Sequence, residues 1–311
     1  MDASPEYNSS SLYPPKPHVI ETRQNSVLRT LLNLLLYGLM FYFLFDQNIV
    51  YISAILLVLI IHELGHFFLM RLYGYQNVKM FIIPLLGAVT TGNKQKVSQT
   101  QLVLIILAGP VPGILIGSLL YWFNQQWDND TVRMLYQSFL FINLLNLLPF
   151  HPLDGGRLVE SLFFRENYII RQVFGILSII ALVLLFLLQQ NFFLLIIPFL
   201  IGIELRNEFK NQKIREYLKQ ENINTQTDYP GLPDKDYWLI RDCIILSNPR
   251  KYGVVQAGVY AYSPLESILV QHVTSVLQVY LVNDMKAFAK LVVLLFYLSM
   301  FLLPLLLYIF N

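Results

Sequence analysis

Residues 49–72 read IVYISAILLVLIIHELGHFFLMRL. The run exceeds the roughly 20 mostly apolar residues that carry a helix across a bilayer, yet it holds two histidines and a glutamate. His62 and His66 lie four residues apart, on one face of a helix. Two imidazoles so placed can bind one Zn²⁺ at about 2.0–2.1 Å, with Glu63 in reach of a metal-activated water as general base. Helix packing or chance is the competing explanation. It is weak, because the chain has only five histidines and each ionisable group inside a span costs about 2.5–3.5 kcal/mol. A divalent cation would offset that cost.

Working outward, the composition describes a membrane protein. The 311 residues are 55% apolar and 14% charged, where soluble chains run near ~25% charged. Further apolar runs near 27–45, 101–123, 134–150, 169–188, 192–205 and 288–310 bring the expected spans to seven. The sixth is short and tied to the fifth by Gln189, Gln190 and Asn191, as a tight hairpin or re-entrant pair. Pro14, Pro15 and Pro17 mark a polar tail, and the first apolar run lacks a small-residue cleavage site, which predicts a retained span. The net charge of +2 gives no reason to expect a nucleic acid partner. Cys243 is the only cysteine, which excludes an intramolecular disulfide framework.

Lys and Arg fix the orientation. With residues 1–26 as a polar cytoplasmic tail, the alternating spans leave only Arg133 on the outer side. The expected organisation is then a membrane domain over 27–206, a small cytoplasmic α/β segment over 207–287, and a C-terminal transmembrane helix over 288–311. Within 207–287 the sequence offers a charged helical stretch, a turn at Pro230-Gly231-Leu232-Pro233, and a helix start at Ser263-Pro264-Leu265-Glu266 among β-rich runs.

A hydrolytic zinc site takes three protein ligands and leaves one position open. Asp154 is a candidate for the third, in Asn146-Leu147-Leu148-Pro149-Phe150-His151-Pro152-Leu153-Asp154-Gly155-Gly156, where prolines break the helix and glycines let it turn. The charge bias brings this segment to the same membrane side as the two histidines. His151 competes for the position. His18 and His272 read as ordinary surface or packing residues.

H-E-x-x-H in one span, followed by Asn146, Pro149, Asp154 and Gly155 as N-x-x-P-x-x-x-x-D-G, resembles the site-2 protease family of intramembrane zinc metalloproteases, peptidase family M50. The likeness covers roughly residues 49–160, that family's three-helix core. It implies an all-α polytopic fold, one Zn²⁺ per chain on His62, His66 and Asp154, Glu63 as catalytic base, and Asn146 supporting the substrate or the oxyanion. Met80 to Gly92, with Gly87, is similar to the family's re-entrant β-like loop beside the substrate. Ala108-Gly109-Pro110 matches the middle core span, but relatives often carry Asn where this chain has Gly113. The implied function is hydrolysis of peptide bonds in or near transmembrane segments of membrane-protein substrates, as in regulated intramembrane proteolysis, from a multi-pass position in the lipid bilayer with the active site toward the cytoplasm. Short loops favour a prokaryotic plasma membrane. A zinc-binding but inactive scaffold is the alternative. A transporter is disfavoured because the motifs have no counterpart in the other half of the chain.

Overall fold

The computed structural model describes residues 13–18, 35, 49–83, 87–164, 167–188, 195–278 and 280–309. The chain forms two compact units, one from residues 1–23 and 206–280, the other from 24–205 and 281–311.

The second unit is built on α1 (Ile49–Leu72), a 24-residue helix about 36 Å long at 1.5 Å per residue. It stops where Gly74 takes φ +74°, a left-handed conformation suited to glycine, and the Tyr75 amide folds back onto the Met70 carbonyl at 3.0 Å. Two strands follow, β1 (Gln76–Ile83) and β2 (Gly87–Asn93), paired antiparallel with Met80 opposite Thr90 and Phe81 opposite Val89. The register is irregular between Gln76 and Lys79, where Asn77 sits at φ +50°. The stretch Met80 to Gly92, expected as a re-entrant β-like loop, falls within these two strands, with residues 84–86 outside the described residues. A short strand, β3 (Lys96–Ser98), then leads into α2 (Gln99–Ala108), whose start is closed by a capping box between Ser98 and Gln101.

Gly109 separates α2 from α3 (Pro110–Trp127), and Pro110 opens the second helix where its missing N–H costs nothing. Asn129 caps α4 (Asp130–Asn146), accepting from the Thr131 amide at 2.9 Å. After Asn146 the chain leaves the helix and re-enters one at α5 (Asp154–Val159), continued by a π turn over Glu160–Phe164. The Tyr297 hydroxyl donates to the Leu147 carbonyl at 2.6 Å, satisfying one of the acceptors freed at the break. Three more helices are α6 (Tyr168–Leu188), α7 (Ile196–Gln220) and a later one over Ala287–Ile309. Val103, Ile106, Ile114, Leu147, Leu158 and Tyr297 form the buried apolar centre.

Among the described residues, four helices are long and apolar enough to cross a membrane: Ile49–Leu72, Gln99–Trp127, Tyr168–Leu185 and Ala287–Leu307. They correspond to four of the seven expected spans. The expected span 27–45 lies, apart from Leu35, outside the described residues. The one at 134–150 is α4, 17 residues long, begun by Asp130 and broken before Pro149. The sixth, expected over 192–205, is described from Leu195; its helix runs without a stop into the charged stretch ending at Gln220, because no glycine or proline follows Gly202 to end it.

The first unit holds α8 (Asp234–Ser247), α9 (Pro249–Tyr252) and α10 (Glu266–Val276) around Trp238, Tyr237, Ile240, Ile244, Leu269 and Val273, all fully buried. Burying each such side chain contributes about 1.5–3 kcal/mol. The expected α/β packing gives way here to helices and irregular chain. Residues 254–265 have strand-like composition, but their apolar side chains Val255, Ala257, Tyr260 and Leu265 pack onto the helical core rather than pairing their backbones. The last element before the C-terminal helix is β4 (Tyr280–Val282), and the C-terminal helix Ala287–Ile309 is α11.

Candidate active site

Two helices bring the central polar groups of the membrane unit together. α1 contributes His62, Glu63 and His66, each no more than 5% exposed, and α5 contributes Asp154 at 6%. His62 Nε2 lies 3.0 Å from Asp154 Oδ2, His66 Nε2 lies 3.2 Å from the same oxygen, and the two Nε2 atoms are 3.2 Å apart.

The far side of each imidazole is anchored. His66 Nδ1 is 2.7 Å from the Ile105 carbonyl, and His62 Nδ1 is 2.9 Å from Asn143 Oδ1. A carbonyl oxygen only accepts, so each Nδ1 carries the hydrogen and each Nε2 presents a lone pair to the centre. The orientation of Asn143 is set in turn by its Nδ2, which donates to the Phe139 carbonyl at 2.7 Å.

These three atoms fit zinc. Tetrahedral ligands at about 2.0–2.1 Å stand roughly 3.3 Å from one another, close to the observed triangle, and two imidazoles with one carboxylate are a known catalytic donor set. Glu63 also brings a carboxylate oxygen within 4.8 Å of both imidazoles, but its Oε2 accepts the Thr90 hydroxyl at 2.6 Å. Asp154 therefore closes the triangle more tightly, and Glu63 stands beside it. The other Asp154 oxygen, Oδ1, is 3.5 Å from an Arg157 nitrogen.

Close packing depends on small residues. A Cβ on Gly109 would fall 2.3 Å from His66 Nε2 and 2.9 Å from His62 Nε2, filling the space between the imidazoles. On Gly65 it would meet the Ala108 carbonyl oxygen at 1.9 Å, and on Gly155 the Leu147 carbonyl oxygen at 2.0 Å. Glycine is thus required where α1 crosses the α2–α3 junction and where α5 folds back on the end of α4.

Of the two candidates for the third ligand, Asp154 is against the histidines and His151 is not. His151 Nδ1 sits 3.2 Å from Glu160 Oε1, and its backbone N–H donates to Ser178 at 3.1 Å. Asn146 is half-buried, with its Nδ2 donating to Ile142 of its own helix at 3.1 Å. Pro149 is exposed within the break and Pro110 begins α3. Gly87 opens β2 opposite Ile83.

Asn143, Thr90 and Arg157 were not singled out by sequence reasoning. Asn143 had a legible signal: it is a polar residue one helical turn before Asn146 in an apolar run. The departure at Gly113 is its counterpart, since a Cβ there would lie 2.1 Å from Asn143 Nδ2. Glycine at 113 makes the room that Asn143 occupies.

Residues 50–127 match the model of peptidase family M50. The chain is 25% identical over 219 residues to a zinc metalloprotease, MJ0392, of Methanocaldococcus jannaschii, covering 64% of this chain and 62% of that protein. It is 31% identical over 122 residues to stage IV sporulation protein FB of Bacillus subtilis, covering 36% of this chain and 40% of the relative. The chain therefore spans less than two thirds of the length of these curated relatives. Among solved structures, a site-2 protease from Methanocaldococcus jannaschii superposes with a TM-score of 0.44 at 22% identity, over 58% of this chain and 87% of that one.

Proposed function

We propose that this chain, whose residues 50–127 match the model of peptidase family M50, is a zinc-dependent endopeptidase that hydrolyses peptide bonds in or near the transmembrane segments of membrane-protein substrates. The triangle of His62 Nε2, His66 Nε2 and Asp154 Oδ2, with Glu63 alongside, carries this reading.

His62, His66 and Asp154 would hold one Zn²⁺ per chain. Zinc there supplies a Lewis acid that polarises a peptide carbonyl and lowers the pKa of water. Glu63 takes the proton of the attacking water and returns it to the departing amine nitrogen, so no net proton is consumed. Thr90, donating to Glu63 Oε2, aims the carboxylate and ties it to β2. A helical substrate has its carbonyls locked in i to i−4 bonds and must unwind before attack. Among the described residues β1 and β2 form a two-stranded sheet, and the outer edge of β2, which carries Thr90, suits pairing with such an unwound segment. Asn146 and Gly87 would border that segment. The active site faces the cytoplasmic side on the charge distribution, in a plasma membrane of prokaryotic type.

Metal content of the detergent-purified chain is the first test. We expect near one zinc in wild type and in Glu63→Gln, and loss in His62→Ala and Asp154→Ala but not in His151→Ala. Retention of zinc by a folded His62→Ala variant would overturn the site. Proteolysis lost in Glu63→Gln while zinc stays bound separates an enzyme from a scaffold.

A further inference from the structure

The segment Tyr13-Pro14-Pro15-Lys16-Pro17-His18 has no role in the membrane site, yet it is held in place by the helical unit of residues 206–280. Proline fixes its own φ near −65° and pushes the preceding residue toward extended conformations. Tyr13, Pro14 and Lys16 each precede a proline, so covalent geometry alone biases 13–17 toward polyproline II. That conformation has no internal hydrogen bonds and leaves every carbonyl free to accept.

Three of those carbonyls are read by aromatic donors. Trp238 Nε1 donates to Pro14, the Tyr262 hydroxyl to Pro15 and the Tyr229 hydroxyl to Pro17, each at 2.7 Å. The indole of Trp238 lies beside Tyr262, nearly parallel at 6.0 Å between centroids, and Tyr13 packs its ring on Tyr260 at 4.7 Å. Lys16 supplies the only backbone N–H among residues 14–17 and donates it to Asp234 Oδ1 at 2.9 Å, while its ammonium donates to the Pro230 carbonyl at 2.9 Å and to the Leu232 carbonyl. The same ammonium stands 5.4 Å from the Tyr229 ring centre. Trp238 is itself braced, with the guanidinium of the fully buried Arg241 over its ring at 4.8 Å.

An array of aromatic N–H and O–H donors reading proline carbonyls, with an acidic residue placed for the one available amide, is the chemistry of proline-rich peptide recognition. We propose that Trp238, Tyr229, Tyr262, Tyr260 and Asp234 form a binding site for Pro-Pro-Lys-Pro segments, occupied in cis by residues 13–18. A segment of the same chemistry on another chain would compete for the site. Because the cis segment belongs to the same chain, a competitor meets an occupied site and binds only weakly until that segment is released.

The test uses the full chain in detergent and a fluorescein-labelled peptide of residues 11–20, followed by anisotropy. In the Pro14→Ala/Pro15→Ala/Pro17→Ala chain the cis segment loses its preorganisation, so the peptide is expected to bind at least tenfold tighter than to wild type. Adding Asp234→Ala or Tyr262→Phe, both at exposed positions, should weaken that binding at least fivefold without unfolding the unit. A peptide with the three prolines replaced by alanine should not bind. Absence of saturable binding to the triple variant, with its helical melting transition intact, would show that residues 13–18 are only a fixed part of the unit. Equal binding of the alanine peptide would also overturn the proposal.

Discussion

His62 Nδ1 donates its hydrogen to Asn143 Oδ1 at 2.9 Å, and Asn143 is itself pinned by its bond to the Phe139 carbonyl at 2.7 Å. Through this pair α4 decides which imidazole nitrogen α1 turns toward His66 and Asp154, where the proposed zinc would sit. Removing a partner of this kind typically costs 10–100-fold in metal affinity or activity. Asn143→Ala should therefore weaken zinc binding by about that factor in a chelator competition, with His66 and Asp154 still in place. Unchanged affinity would mean that the His62 tautomer is set some other way.

Gly109→Ala should abolish zinc binding almost as fully as loss of a ligand, because its Cβ would fall 2.3 Å from His66 Nε2. Zinc content by elemental analysis checks this. Gly113→Ala should act more mildly, since its Cβ meets the side chain of Asn143 and not a ligand.

Thr90 touches Glu63 and not the ligand triangle. Thr90→Val should leave zinc content unchanged and lower turnover about tenfold, the lower end of what such supporting bonds contribute. Thr90→Ser, which keeps the hydroxyl, should restore most of the rate. A fall in zinc content in Thr90→Val would contradict this division of labour.

In the helical unit, burial pushes the Glu266 carboxyl up, but hydrogen bonds from Tyr237, Arg241 and the Ser263 backbone outweigh it and hold the group below the usual carboxylate range. A depressed folded pKa means that the stabilisation is complete above the unfolded value of about 4.3 and is lost as pH falls through the folded value. Protection factors against amide exchange over Asp234–Val276, taken relative to the intrinsic exchange rate at each pH, should therefore fall on acidification below about pH 4.3, and Glu266→Gln should flatten that dependence.

Arg241 donates Nε to Glu266 at 3.0 Å and a second nitrogen to the Ala261 carbonyl at 3.2 Å. Arg241→Met would leave Glu266 buried without its charge partner, at a cost of about 3–5 kcal/mol. The double variant Arg241→Met/Glu266→Gln should recover a good part of that loss in a melting experiment. Equal destabilisation by the single and double variants would argue that packing of the guanidinium on Trp238, not charge, is what the unit needs.

Local pattern alone carried the membrane character and much of the site. Apolar run length fixes which helices can span a bilayer, and the four-residue spacing of His62 and His66 fixes their common face. Asp154 could be proposed because broken backbone at membrane depth implies a lined cavity, and the family resemblance preferred it to His151; how closely it approaches the two imidazoles is set by where α5 folds back against α1. Asn143, Thr90 and the use of Gly113 were decided only by tertiary contacts, since each acts across helices or strands far apart in sequence. The same holds for residues 254–265, whose strand-like composition was overridden by burial of their side chains on a helical core. In the tail, Pro14, Pro15 and Pro17 dictated an extended chain by covalent geometry. What that chain lies against was set by the fold, because an aromatic donor array reads carbonyls whose positions no local pattern records.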